Sequence, residues 1–282
     1  MKKFILFYLF VNYNKCGDTM KEIMIITGAS SGMGREFSMQ IEKKYQVDEI
    51  WVIARRKERL ESLKEKLQTK VKIFALDLTQ KESFEIIQEA LFQEKPRVKV
   101  LVNCSGYGKI DHYENMSSET IENMMNLNML AVVKMVNTVL PYMHKKSSIV
   151  NLASCSGYMP IPYLNIYAST KAFVLSYSRA LNEELKYRQI HVLAICPYWV
   201  ETEFFDRAVE KDKKPVVIRY GKVYQAKDVI KKAIKDMESS KDVSLYGTIN
   251  RIQILGMKVL PHRLVKKIWM VYQELDGTKG IR

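Results

Sequence analysis

The chain has 282 residues, 47% of them hydrophobic, and a formal charge of +14 from 45 lysines and arginines against 31 aspartates and glutamates. That size and apolar content suit one large α/β domain or two small ones, and the basic excess suits an anionic cofactor, an acidic substrate, a membrane surface or simply a lysine-rich composition. Four cysteines without a C-x-x-C pair and four scattered histidines give no zinc site and no disulfide framework, so no metal is expected and a reduced, cytoplasmic setting fits best. No compact basic-aromatic motif argues for nucleic acid.

Residues 1–19 open with two lysines and the apolar run "FILFYLFV". The run is too short to span a bilayer and lacks a small-residue cleavage site. The expectation is a disordered N-terminal extension or a misplaced start, with a weak membrane anchor as the sharper alternative.

From Met20 onward, β-branched apolar runs alternate with helical patterns. The runs predict strands at 22–27, 49–54, 71–76, 98–103, 148–152 and 191–196. The helical patterns fall at 34–44, 57–67, 81–93, 118–143 and 163–187. Alternation of this kind implies βαβ units, hence a doubly wound parallel sheet with helices on both faces. Ligands then bind beyond the carboxyl ends of the strands.

The first strand runs into "TGASSGMG". Gly28, Gly32 and Gly34 turn the chain into a helix. Glycine admits a close pyrophosphate, and the helix N-terminus offers free N–H groups and the positive end of a dipole. Ser30 and Ser31 add hydroxyls, and Met33 belongs to the same loop. Dinucleotide binding is the expectation. The second strand ends "WVIARRKER". Ala54 stands where an acidic residue would hold a ribose 2′-hydroxyl, and Arg55 and Arg56 follow, which favours NADP(H) over NAD(H).

In "IYASTKAF", Tyr167 and Lys171 are four apart and share one face of a helix. A free phenol titrates near 10 and is a poor acid/base at neutrality. An ammonium at about 4 Å in an effective dielectric of ~20 would favour the phenolate by up to ~4 kcal/mol, bringing the tyrosine into a usable range.

Residues 203–225 are too long for an ordinary αβ connection and read as a lid. Phe204, Phe205, Val216, Val217 and Tyr220 suggest its apolar side, and Lys211, Lys213 and Lys214 its wet side. With Tyr158, Met159, Pro160, Ile161, Tyr163, Tyr198 and Trp199 they predict a bulky apolar pocket. Amphipathic helices follow at 226–238 and 263–275. The second, with Leu264, Val265, Ile268, Trp269 and Tyr272 opposite Arg263, Lys266 and Lys267, is expected to cap the domain, join subunits or lie on a membrane. The division expected is an extension (1–19), a single sheet domain (20–255) and a C-terminal helix and tail (256–282).

Over residues 22–205 these pieces resemble, in order and spacing, the short-chain dehydrogenase/reductase family. "TGASSGMG" matches its T-G-x-x-x-G-x-G loop and "YASTK" its Y-x-x-x-K. The resemblance implies a Rossmann-type fold and a catalytic set of Asn128, Ser154, Tyr167 and Lys171. It places Asp77 and Leu78, in "LDLT", at the adenine, and Asn103 and Gly106, in "NCSG", at the family's N-A-G signature. Pro197, Val200 and Thr202 in "PYWVET" would hold the nicotinamide, although Tyr198 replaces the family's glycine. By the same resemblance Tyr167 exchanges the proton, Ser154 bonds the substrate oxygen, Lys171 bonds the nicotinamide ribose, and Asn128 positions a water linking Lys171 to solvent. A homodimer or homotetramer is implied. The function expected is NADP-dependent hydride transfer on a hydrophobic carbonyl or alcohol, hydroxysteroid-like or acyl-type. The alternatives are an idle NADP-binding sensor and a membrane-surface scaffold.

Overall fold

The first strand, β1 (Glu22–Thr27), reads EIMIIT and is buried on both sides, as a strand inside a parallel sheet must be. In the computed structural model, which describes residues 20–209 and 215–275, it lies inside a seven-stranded sheet in the order β3-β2-β1-β4-β5-β6-β9. The other strands are β2 (Glu49–Ala54), β3 (Val71–Ala75), β4 (Arg97–Asn103), β5 (Met143–Leu152), β6 (His191–Ile195) and β9 (Val243–Ser244). All neighbours pair in parallel. The expected extension at 1–19, and Lys211, Lys213 and Lys214 of the expected lid, lie outside the described residues.

The two-residue period of the strands splits the core. Met24 and Ile26 of β1 and Ile50 and Val52 of β2 face one side. There they meet α1 (Gly32–Ile41) through Phe37 and Ile41, α2 (Lys57–Lys64) through Leu60 and Leu63, and α8 (Ala226–Glu238) through Ile230 and Ile234. Ile23, Ile25, Trp51 and Ile53 face the other side. They meet α3 (Lys81–Glu94) through Ile87 and Leu91, α5 (Ala131–Val139) through Met135 and Val139, and α6 (Asn165–Glu184) through Leu181. Strand order reverses between β1 and β4, so a crevice opens where their carboxyl ends part.

Three regions differ from expectation. The helix predicted over 118–143 is α4 (Ser118–Met125), a π-helical turn at Asn126–Leu130 and α5. In that turn the Ala131 N–H reaches back five residues to the Asn126 carbonyl. The helix stops at Val139 because Pro141 cannot continue it, and Met143 already pairs with Val98 as part of β5. Secondly, a helix absent from the expectation, α9 (Thr248–Val259), precedes α10 (His262–Tyr272). The boundary placed after residue 255 falls inside α9. Thirdly, the expected lid contains α7 (Phe204–Ala208), and its ends are pinned together by a short parallel pair, β7 (Val200–Glu201) with β8 (Tyr224–Gln225).

Candidate active site

The loop after β1 leads into the crevice. Gly28 has φ +67°, and a Cβ there would stand 2.7 Å from the Cys104 backbone, so only glycine lets this loop pass the one after β4. Thr27 Oγ1 binds the two loops by accepting from the N–H groups of Cys104 (3.1 Å) and Ser105 (3.2 Å). The N-cap of α1, Ser31, makes no side-chain capping bond, and the first turn carries no acidic residue. Its N–H groups and positive dipole end are therefore left for an anion.

At the far side of this loop the charge is dense. Arg56 donates to Ser31 Oγ at 2.9 Å and Ser30 Oγ at 3.3 Å, and pairs with Glu203 at 2.9 Å. Arg59 and Arg207 reach the same carboxylate. Burial and the charges of Arg56, Arg55 and Arg59 push the Arg207 guanidinium below its ordinary value. Arg55 lies 3.6 Å from Asp77. Glu203, Arg59 and Arg207 were not anticipated, because nothing local marks a contact between residues so far apart in the chain.

All residues nominated from the sequence for catalysis or cofactor binding border one cavity of about 660 Å³ except Asn103 and Asn128. Asn103 turns into the sheet and donates to Asn151 Oδ1 at 2.9 Å. Its side chain therefore links the carboxyl ends of β4 and β5. Asn128, fully buried in the π-helical turn, donates to the Tyr107 carbonyl (2.8 Å) and Thr170 Oγ1 (3.1 Å), and its Oδ1 accepts the Tyr107 N–H (3.1 Å). One amide thus ties the turn to the loop after β4 and to α6.

Ser154 follows β5, and Tyr167 and Lys171 sit one turn apart near the start of α6. Ser154 Oγ accepts from the Ser156 N–H at 3.1 Å and donates to the Pro197 carbonyl at 3.5 Å, and it borders the same cavity as Tyr167. Lys171 is 3% exposed and donates to the Leu152 carbonyl at 2.7 Å, with Nζ 5.6 Å from the Tyr167 ring centre. Burial pulls the ammonium down to about 8. Burial also pushes the Tyr167 phenol up, and the Ser154 hydroxyl opposes it. Here the sequence expectation needs correction. Lys171 Nζ is engaged by the Leu152 carbonyl and lies 5.6 Å from the ring centre, and burial moves the phenol up, where the expectation is a downward shift.

Beyond Tyr167 the cavity becomes apolar. Phe204 packs 5.3 Å from the Tyr167 ring, and a Cβ on Gly108 would meet both rings at 2.9 Å. Met159, Ile161, Tyr198 and Trp199 line the wall as expected. Phe205 and Tyr220 instead pack behind it, each stacked or edge-on to Trp199, at 5.7 and 5.0 Å. Val217 is buried in a cluster with Val265, and Tyr158, Pro160, Tyr163 and Val216 likewise stay off the lining. The outer wall comes from α9 and α10, through Gln253, Met257, Trp269 and Tyr272. Tyr198, in place of the family's glycine, lines the cavity together with Gln253 there. The α9 residues escaped sequence reasoning.

The groove thus runs from a positive end through an uncapped helix N-terminus to a hydroxyl–phenol–ammonium group, a shape and charge order that fit a dinucleotide. A family described as short chain dehydrogenase matches residues 22–213. The very-long-chain 3-oxoacyl-CoA reductase of Mus musculus is 30% identical over 272 residues, 89% of this chain and 84% of that one. A short-chain dehydrogenase from Sphingobium yanoikuyae in complex with NADPH superposes with a TM-score of 0.70 at 25% identity, over 84% of this chain and 93% of that one. A short-chain dehydrogenase from Streptomyces avermitilis shares the fold, with a TM-score of 0.71 at 21% identity over 91% and 97% of the two chains.

Proposed function

The chain belongs to the short-chain dehydrogenase/reductase family and is a nicotinamide-dependent oxidoreductase of the alcohol/carbonyl pair; from this we propose that it reduces the carbonyl of a bulky hydrophobic substrate, of the 3-oxoacyl type, with NADPH. The observation that carries the reading is that Ser154, Tyr167 and Lys171 border the cavity between its apolar half and the glycine loop. The acyl class is favoured over a steroid by the name of the mouse relative. NADPH is favoured by Arg55 and Arg56, with Asp77 engaged by Arg55.

The cofactor, when bound, supplies the hydride. Ser154 Oγ–H donates to the substrate oxygen and stabilises the charge that builds there. Tyr167 Oη–H gives its proton to the nascent alkoxide, leaving a phenolate. Lys171, cationic below about 8 and with Nζ 5.6 Å from the ring centre, favours that phenolate by its charge once the proton has left. Asn128 is a positioning residue, since its amide is spent on Tyr107 and Thr170. The apolar wall excludes water, so the phenol is the proton source for the nascent alkoxide oxygen.

Replacing Tyr167→Phe keeps the ring in place and removes the proton. We expect NADPH binding to persist and turnover on hydrophobic 3-oxoacyl thioesters to fall at least ~10²-fold. Near-normal turnover would sink the assignment.

A further inference from the structure

The two C-terminal helices carry apolar side chains on the side that faces away from the protein. In α9, Asn250 and Ile254 point inward and are buried. Ile249, Ile252, Leu255 and Val259 occupy the opposite stripe, each more than half exposed, up to 74% at Val259. On α10, Val265 packs inward while Ile268 and Val271 remain 54% and 60% exposed. A helix with a packed inner face does not need a second apolar face for folding, and leaving one in water is unfavourable.

The charge on these helices is one-sided. Residues 245–272 contain no aspartate or glutamate, while Arg251, Lys258, Arg263, Lys266 and Lys267 are all exposed. The mouth of the cavity lies on the same surface, because Ile249 and Ile268 both line the cavity and stand out from it.

We propose that α9 and α10 dock the enzyme on an anionic lipid bilayer, with the cavity mouth opening into the acyl layer. An apolar stripe flanked by cations, with no anion, is the pattern that binds such a surface. A second copy fits less well, since a two-fold interface would set five cations, none in a salt bridge among the described residues, against five more. The docking stands on the surface itself. The route of substrate from the bilayer into the cavity rests on the proposed hydrophobic substrate.

The test is flotation of the full chain with vesicles of phosphatidylcholine containing about 30% phosphatidylserine, and with phosphatidylcholine alone. The probe variant is Ile252→Glu with Leu255→Glu, positions that do not line the cavity. The full chain should float with the anionic vesicles, less so with neutral ones or at high salt. The double variant should lose binding about tenfold or more while keeping its melting temperature and NADPH affinity. No flotation of the full chain, equal flotation on neutral vesicles, or undiminished flotation of the double variant would each overturn the proposal. So would a stable dimer that the variant converts to monomer without change in flotation, since a second copy would then own the face. A Tyr167→Phe protein should float normally, so failure of the catalytic reading and failure of the docking are read separately. For the route, the variant should raise KM for a vesicle-borne long-chain substrate and leave KM for a water-soluble short-chain one unchanged. Equal effects on both would reject it.

Discussion

Lys171→Met should give a protein that is inactive yet at least as stable as the parent at pH 7. Lys171 is 3% exposed, and its ordinary value of 10.5 is pulled down to about 8 by burial. At about 1.4 kcal/mol per pH unit, holding the charged form in the folded state costs about 3 kcal/mol. Because the folded value is the lower one, this penalty is complete below pH 8, shrinks between 8 and 10.5, and vanishes above. Methionine fills a similar volume without charge. It leaves the Leu152 carbonyl, now bonded at 2.7 Å, without its donor, a loss of about 1–3 kcal/mol. The balance at pH 7 lies between neutral and about 2 kcal/mol in favour of the variant. Urea denaturation of both proteins at pH 7 and at pH 9.5 measures it, and the variant's advantage should shrink at the higher pH. A variant less stable by 2 kcal/mol or more at pH 7, or a difference that ignores pH, would refute the view that Lys171 is kept for chemistry at the expense of the fold.

Arg55→Ala removes an exposed guanidinium whose neighbour is Asp77, 3.6 Å away. Losing one charged hydrogen bond to a 2′-phosphate is worth roughly 1.5–3 kcal/mol, so NADPH should bind about 10- to 100-fold more weakly and NADH almost unchanged, read by fluorescence titration. Equal losses for both would remove the argument for NADPH. Asp236 on α8 is 2% exposed, and hydrogen bonds from Lys232, Lys241 and Ser244 outweigh its burial and hold it below the usual aspartate value. Its contribution is present above pH ~4 and is lost as pH falls further. Asp236→Asn should cost about 2–4 kcal/mol at pH 7 and flatten the acid limb of the stability curve, and an unchanged limb would count against it.

Much of this architecture is legible in the chain because parallel strands are buried on both faces. Runs such as EIMIIT and EIWVIA have no reading other than interior strands once turn residues bound them, and both match residue for residue. The helix at 226–238 also matches, since Val229, Ile230, Ala233, Ile234 and Met237 make a single stripe against lysines. By contrast, α9 (TINRIQILGMKV) spreads its apolar residues around the whole circumference and has no side-chain cap, so it shows neither period nor start signal. The glycine loop and the Y-x-x-x-K spacing put the reacting groups at strand ends and on one helix face. What spacing could not supply is the environment. Desolvation decides the titration of Tyr167 and Lys171, and it comes from chain segments remote in sequence. The same holds for the Arg56–Glu203 contact and for the inward turn of Asn103.

The π-helical turn at Asn126–Leu130 carries one residue more than an ordinary helix would use for the same rise. Each residue of α-helix advances the winding by about 100°, so this surplus sets the angular phase between α4 and α5. A one-residue deletion here would let the backbone relax into an uninterrupted helix that is locally more regular. It would also rotate one half against the other, pulling either Asn128 off Tyr107 and Thr170 or Met135 and Val139 off the sheet. Among the described segments, this is a place where the loss of a single codon would be disguised by good local geometry and betrayed by lost turnover or lost core packing.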